Sequence, residues 1–570
     1  MKLVKLLSVP VLLFIVACTG NTHSQKGLTD VGIQLYSVRE PIQALLDEGK
    51  TIHPILDTLS AMGYTSVEAA GYDGEKFYGM TPEEYKAACV QYNLIPLSSH
   101  TGKLLSDEQY ISGEYSDVMS WWDKAIADHK AAGMEYIVYP WSKLPATKAE
   151  LQTFCNYLND IGEKCNEQGV KFGYHNHTHE FEKVEDVHML DYIIENTDSD
   201  KVFIQMDLIQ VVLGGAAPVD YFKKYPGRFA MLHVKDLHEL GQSGMVGFDA
   251  IYDNAEIGGV KYNIVEIGTS SYGDILGTAK DCIDYLTTMG MNTLAPKATP
   301  KEVGLQLYSV REPLGRHLNN GESIAPMLDS IAAMGYTSVE AAGYGDGKFY
   351  GMTPEEFKQM LDNSGLQLIS SHTSRLLSPE ELAAGDFTEA MEWWKQCVAD
   401  HKAAGVEYIV FPWMLVPDSK EKLDNLCAYF NQIGTLCAEN GIKFGYHNHA
   451  HEFGKVDDEV MYDYLINNTN PDLVFFQLDV YWSMMGKASA VEYFKKYPGR
   501  FKLLHIKDKL EVGQSGMVGF DAIFNNASDA GVENIIVEAE GSSYGDIMRT
   551  VDESVDYLLR APFVNTSYAK

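Results

Sequence analysis

The chain is short of positive charge: 45 lysines and arginines stand against 79 aspartates and glutamates in 570 residues, a formal net charge of −34. The acidic residues are spread along the chain rather than gathered in a tail, so a partner with a phosphate backbone is excluded and no nucleic acid is expected. No CxxC motif occurs among the eight cysteines. Cys155 and Cys165 recur as Cys427 and Cys437, but ten helical residues separate each pair by about 15 Å, too far to bridge. Cys89, Cys282 and Cys397 have no counterpart, and buried free thiols are the expectation. Long apolar runs are also missing. The stretch from Leu6 to Val16 has eleven residues, where a membrane span needs about 20.

That stretch follows Lys2 and Lys5 and precedes a polar segment, the arrangement of an export signal. Ile15-Val16-Ala17-Cys18 resembles the lipobox of bacterial lipoproteins. The resemblance implies a signal peptide over 1–17, lipidation of Cys18, and a tether over 18–30. The protein is then exported and anchored to a membrane by lipid, facing the periplasm.

The main feature of the chain is a long internal repeat. Residues 31–289 recur without a gap 272 positions further on, Val31 answering Val303 and Glu266 answering Glu538. FGYHNH stands at 172–177 and 444–449, LH-x-KD at 232–236 and 504–508, and GQSGMVGFDAI at 241–251 and 513–523. A period of this length is a duplicated domain and not a solenoid, and each copy is long enough to bury its own core. Identical polar runs inside drifting surroundings mark the places where chemistry is expected.

Within copy one, eight short apolar runs read as strands: 31–36, 65–70, 94–100, 135–140, 170–175, 201–207, 229–234 and 261–267. Amphipathic stretches such as Leu151 to Gln168 alternate with them. Eight βα units in about 260 residues predict a (β/α)8 barrel. The fold class is therefore α/β, two tandem TIM barrels over 31–289 and 303–562. A Pro-containing stiff linker joins them at 290–302, and the last eight residues are expected to fray.

Catalytic groups of such barrels come from the C-terminal ends of strands. Polar residues fall there at Glu68, His100, His175, Asp207, His233 and Glu266, with twins Glu340, His372, His447, Asp479, His505 and Glu538; of these, Glu68, His100, Glu340 and His372 are candidates to contact substrate. Four successive strands thus offer His, Asp, His and Glu, a mixed nitrogen and oxygen set suited to Mn, Co, Fe, Mg or Zn. His175 is chosen as the ligand from HNH. His177 and Glu180, with His449 and Glu452, are candidates for contacting substrate or supporting the ligands, or else for loop hydrogen bonding. Lys235 and Lys507 face the same way as His233 and His505 and either hold a substrate oxygen or pair with a neighbouring carboxylate. Trp141 and Trp413, just past strand four, are candidates to wall a sugar pocket. The glycines of GQSGMVGFDAI would let a ligand approach the backbone. Trp121-Trp122 and Trp393-Trp394 are read as helix packing, and His129 and His401 as structural residues at a helix C-terminus.

GIQLYSVRE, SVEAAGY, GYHNH-x-HEF, the Asp closing strand six, YPGRF-x-x-LH-x-KD and IVE resemble the xylose-isomerase-like TIM barrel group, which includes sugar phosphate isomerases and epimerases. The resemblance spans both copies almost end to end. It implies a divalent metal held by His175, Asp207, His233 and Glu266, and in copy two by His447, Asp479, His505 and Glu538. Two departures stand out. Ketose 3-epimerases of the group use a Glu on strand five as well as on strand eight, whereas here strand five ends in His175 or His447. Copy two also carries Asp479-Val-Tyr-Trp482 and Glu538-Ala-Glu540, which look like the group's pattern, where copy one has Asp207-Leu-Ile-Gln210 and Glu266-Ile-Gly268. Copy two is therefore the expected active barrel, with Trp482 contacting substrate.

The expected function is a divalent-metal-dependent sugar isomerase or epimerase that enolises next to a carbonyl of an unphosphorylated carbohydrate. Glu538 or a nearby histidine would be the base, with Lys507 assisting an oxygen; Glu452 is a further candidate, and Glu266, Lys235 and Glu180 are the equivalents in copy one. Two alternatives stay open: a lyase or dehydratase eliminating from a keto-sugar or keto-glycoside at the same site, and a sugar-binding lipoprotein without catalysis. An endonuclease on the same fold is excluded by acidity and export.

Overall fold

The computed structural model describes residues 28–289 and 293–568. The expected signal peptide and the Cys18 lipidation site lie outside the described residues, as does most of the expected tether. Among the described residues no helix is long and apolar enough to cross a membrane.

Each copy closes into an eight-stranded parallel barrel surrounded by helices. In the first barrel the strands are β1 (Val31–Gln34), β2 (Ser66–Ala69), β3 (Ile95–His100), β4 (Tyr136–Tyr139), β5 (Lys171–His175), β6 (Val202–Asp207), β7 (Met231–Val234) and β8 (Tyr262–Val265). The second contains β9 (Gly304–Gln306), β10 (Ser338–Ala341), β11 (Gln367–His372), β12 (Tyr408–Phe411), β13 (Lys443–His447), β14 (Val474–Asp479), β15 (Phe501–Ile506) and β16 (Asn534–Val537). Parallel pairing of β1 with β8, and of β9 with β16, closes the two circles. All eight strands expected in copy one are present. Short hairpins at Lys183–Val184 with Val187–His188, and at Lys455–Val456 with Glu459–Val460, were not anticipated because two-residue strands leave no periodic signal.

Strand alternation sorts side chains between two cores. Ile204 and Met206 of β6, Leu232 and Val234 of β7, and Phe172 and Tyr174 of β5 pack outward under the helices. Opposite parity sends Met231, with Leu97, Val138 and Ile264, into a separate cluster in the barrel interior. Gly173 makes room there, since a Cβ on it would stand 2.5 Å from the Phe203 ring. The same parity that turns Phe203 and Met231 inward delivers Gln205, Asp207 and His233 to the interior two or four residues further on.

The two barrels meet across a pseudo-twofold contact made by the GQSGMVGFDAI segments. Gly247 N donates to Gly516 O and Gly519 N to Gly244 O, both at 3.0 Å. A Cβ on Gly247 would lie 2.7 Å from Val518 O, so these glycines admit the other barrel's backbone. The space expected to admit a ligand is taken by packing of backbone on backbone. Tyr285 OH donates to Asp521 at 3.0 Å and Tyr557 OH to Asp249 at 2.6 Å. Equivalent residues meeting each other's partners is the signature of an isologous dimer interface, here built within one chain.

Outside that contact, the described part of the linker lies along the last helix of barrel two, with Thr299 N donating to Leu559 O and Lys301 Nζ to Leu558 O. The C-terminal segment is ordered against the barrel. Phe563, Val564 and Tyr568 are buried, the two rings beside Phe524. Apolar burial outweighs the fraying expected of a terminus.

Tyr557→Phe, which removes one cross-barrel bond to a charged acceptor, is expected to cost about 1–3 kcal/mol, read as a lower urea unfolding midpoint. Burial between the barrels pushes the Asp249 carboxyl up to about 6, against about 3.9 in an unfolded chain. The folded protein holds this proton more tightly, so the associated stability is present below about pH 4 and lost as pH rises through about 6. Asp249→Asn should flatten that part of the stability profile; an unchanged slope would show that Asp249 is not desolvated.

Candidate metal and catalytic centre

A buried carboxylate lies under each site. Glu68, the third residue of β2, is fully buried. It accepts hydrogen bonds from Gln34 Nε2 at 2.9 Å, Ser98 Oγ at 2.7 Å, Gln205 Nε2 at 2.8 Å and His233 Nε2 at 2.5 Å. Burial raises the cost of its charge, but His100, His233 and Ser98 more than offset this and hold the carboxyl down at about 2. Glu340 repeats the arrangement with Gln306, Ser370, Gln477 and His505. Both glutamates had been expected to contact substrate. With their oxygens occupied and no exposed surface, they support the histidines from beneath.

This network sets the histidine tautomers. Gln205 spends its amide N–H on Glu68, so its Oε1 faces His175 Nδ1 at 3.1 Å and His100 Nε2 at 2.7 Å. An amide oxygen only accepts; His175 Nδ1 therefore carries the proton, and Nε2 is left as a lone pair 3.8 Å from Asp207 Oδ2. Gln477 does the same for His447 and His372. Gln205 and Gln477 are not among the residues expected from sequence; their signal is an identical Gln two residues before the Asp, inside an otherwise apolar strand of both copies.

The structure brings together all four expected ligands in each barrel. Ligand atoms of His175, Asp207, His233 and Glu266 lie within 4.8 Å of one another, as do those of His447, Asp479, His505 and Glu538. Asp207 Oδ2 and Asp479 Oδ2 are buried without a hydrogen-bond partner. Lys235 Nζ lies 3.7 Å from Asp207 Oδ2; a buried carboxylate oxygen without a hydrogen bond is costly, and burial pushes these carboxyls up, Asp207 to about 6 and Asp479 to about 7. His233 lies between Glu68 and Glu266, with Nδ1 2.6 Å from Glu266 Oε2. Burial disfavours its charge, yet the two carboxylates raise its pKa to about 10. A cation among these groups would satisfy Asp207 and Asp479 and pair with Glu266 and Glu538, so the donor sets fit a divalent metal. Nitrogen and oxygen donors of this kind suit Mn, Co, Fe or Zn.

The copies differ around the conserved lysine. Lys235 Nζ pairs with the candidate ligand Glu266 at 2.8 Å and lies 3.7 Å from Asp207 Oδ2. Lys507 Nζ stands 3.6 Å from Glu538 and 3.0 Å from Glu540, which draws it off the ligand; copy one has Gly268 at that position. Lys507 also lies 5.3 Å from the centre of the Trp482 ring, and that ring lies 5.6 Å from His449. Copy one has Gln210 there, bonded to Thr178.

The HNH loops continue the site outward. His177 and His449 have their rings 4.8 and 5.1 Å from His175 and His447. Their Nδ1 atoms are buried without a hydrogen-bond partner. Glu180 and Glu452, weighed as catalytic groups, are fully buried. Glu180 accepts from Tyr174 OH and from His177 N, and Glu452 from Tyr446 OH and His449 N. Loop hydrogen bonding is their place. His100 and His372 sit beside the ligand histidines, with rings stacked on His233 and His505. Trp141 and Trp413 are about two-fifths exposed and stand 5.9 and 6.4 Å from His179 and His451, at the rim of each site.

Trp122 and Trp394 are buried packing residues, as expected. His129 and His401 are structural for a different reason from the one expected: each is buried and neutral, lowered to about 4 by burial, and bonds inward to Thr101 or Thr373.

Residues 56–271 and 328–561 each match the family of xylose isomerase-like TIM barrels. An inosose dehydratase of Geobacillus kaustophilus is 24% identical over 209 residues, covering 34% of this chain and 64% of its own length. One from Clostridium botulinum is 31% identical over 192 residues, covering 32% and 62%. The chain thus spans under two thirds of the length of these relatives. A solved structure of a sugar phosphate isomerase/epimerase from Parabacteroides distasonis is 34% identical, covering 48% of this chain and 99% of that one, with a TM-score of 0.43. With the family matched in both halves of the sequence, the chain belongs to the xylose isomerase-like TIM barrels.

Proposed function

We propose that barrel two is a metal-dependent enolising site for an unphosphorylated carbohydrate, working outside the cytoplasm on a lipid-anchored protein. The observation that carries this reading is the buried set His447, Asp479, His505 and Glu538, in which Asp479 Oδ2 has no hydrogen-bond partner. These four residues would hold a divalent ion, which would supply Lewis acidity toward a carbonyl and its adjacent C–H.

The chain's own residues do the rest. His449, with an unpartnered Nδ1 beside the ligand set, is placed to take the proton next to the carbonyl; Glu538 is the other base within the site. The C–H electron pair moves toward the carbonyl carbon and leaves charge on oxygen, which the Lys507 ammonium faces. Trp482, His449 and Trp413 give the sugar apolar faces. Return of the proton to carbon completes an isomerisation or epimerisation. Departure of a group β to the carbonyl, carrying its bonding electrons, completes an elimination. This second outcome is favoured by one feature: β13 ends in His447, so no second carboxylate stands opposite Glu538 to return a proton from the other face. The naming of relatives as inosose dehydratases points the same way.

Barrel one keeps the four ligands, but Lys235 is engaged with Glu266, and Gln210 and Gly268 replace Trp482 and Glu540. It is proposed as the weaker site.

Asp479→Asn is expected to lower the divalent metal bound to the purified protein and to abolish turnover, while Asp207→Asn leaves turnover largely intact; elemental analysis and solvent-deuterium exchange into a trial ketose check both. A protein that binds no Mn or Co and gains no thermal stability from them would sink the metal reading. Glu340→Gln, which touches no substrate, is expected to weaken metal affinity about 10- to 100-fold by freeing the His505 ring, measured by competition with a chelating dye. Release of a leaving group without deuterium in recovered substrate would assign the lyase outcome.

A further inference from the structure

Lys235 and Lys507 are the same residue of the repeat, two positions past His233 and His505, yet they are seated differently. Buried charges have to be paired or bound to a metal, and barrel one supplies its own cation. Lys235 Nζ donates to Glu266 Oε1 at 2.8 Å and stands 3.7 Å from Asp207 Oδ2. One ammonium thus lies against both carboxylates of the four clustered residues, where a bound ion would meet the same two groups. The other oxygen of Glu266 is taken as well, 2.6 Å from His233 Nδ1.

In barrel two the lysine stands back. Lys507 Nζ is 3.6 Å from Glu538 and 3.0 Å from Glu540, with the Trp482 ring centre at 5.3 Å. It is buried and makes no hydrogen bond, so its N–H groups stay free to donate to an incoming oxygen. Its seat depends on a carboxylate and a ring that barrel one lacks, having Gly268 and Gln210 instead. Nothing in the backbone requires that glycine. Gly268 does not have a positive φ, and a Cβ on it would meet only Lys235 Cε, at 3.8 Å, an ordinary contact. A side chain at 268 therefore fits, and it starts beside the lysine stem.

We propose that the Lys235 ammonium occupies the ion position of barrel one and keeps a divalent metal out of it, and that Glu540 is the positioning residue that leaves the equivalent position of barrel two open by drawing Lys507 away from Glu538. The chain then takes up one divalent ion, not two. The metal half of this assignment rests on the enolising reading above; the seat of each lysine does not.

The test titrates chelator-treated, full-length protein with Mn by calorimetry. One tight site per chain is expected, lost in Asp479→Asn and kept in Asp207→Asn. In the Asp479→Asn background, Gly268→Glu is expected to tighten binding at barrel one by about tenfold or more, the scale on which groups behind the ligands act. Lys235→Met in that background should do the same, and Gly268→Glu added to it should then gain little, because the carboxylate acts through the lysine. In the Asp207→Asn background, Glu540→Gly is expected to weaken the remaining site by about tenfold, and Lys507→Met to cancel that loss. Two tight sites in the unaltered chain, or an undiminished gain from Gly268→Glu once Lys235 is Met, would overturn the proposal. A crystal structure of chelator-treated Gly268→Glu protein reads the lysine without metal. Nζ is expected to leave Glu266 for the introduced carboxylate; Lys235 still bonded to Glu266 refutes the positioning role. If no variant binds Mn, the metal half falls with the enolising reading, and a displaced Nζ still supports the role of residue 540.

Discussion

Burying a carboxylate at the base of each barrel's site constrains nearly everything above it. Glu68 and Glu340 have no access to water, so each must be saturated by donors. The donors come from four other strands: Gln34, Ser98, Gln205 and His233 in one barrel, and Gln306, Ser370, Gln477 and His505 in the other. Satisfying the glutamate orients the glutamines, the glutamines dictate which nitrogen of His175 or His447 is protonated, and the remaining lone pairs converge on one point. The geometry of the four clustered residues is thus set by a network with no exposed surface. That network is the same in both copies.

The copies diverge where that constraint ends. Residues just past the ligands are free of the glutamate network, and there Trp482 answers Gln210 and Glu540 answers Gly268. Moving one carboxylate shifts the lysine: Lys507 goes to Glu540, whereas Lys235 neutralises a ligand. The two copies thus keep the buried network and the four clustered residues, and differ at the rim.

Duplication also explains the interface. The two occurrences of GQSGMVGFDAI pack against each other across a pseudo-twofold axis, where a Cβ on Gly247 or Gly519 would strike the opposing backbone and one on Gly244 or Gly516 the opposing Ile523 or Ile251 side chain. The same loops begin at Asp236 and Asp508, which accept from Ser243 and Ser515 one residue after the conserved lysines. The contact between barrels and the lysine of each site therefore hang from one short segment.

The eight strands per copy, the barrel they form and the convergence of four polar residues from successive strand ends were legible in the sequence, because parallel strands buried on both faces are continuous apolar runs and a polar residue ending such a run stands out. The repeat gave each of these readings a second witness. What the sequence could not separate was the role of polar residues sharing a motif. Glu68, Glu180 and the glycine loop looked as chemical as His233, since identity between copies reflects a buried hydrogen-bond network or a packed interface as well as a reactive group. Only the tertiary structure decided these. Whether a carboxylate is spent on neighbours or left orphaned, as Asp479 Oδ2 is, depends on donors that arrive from strands more than a hundred residues apart in the chain, and no local pattern records their arrival.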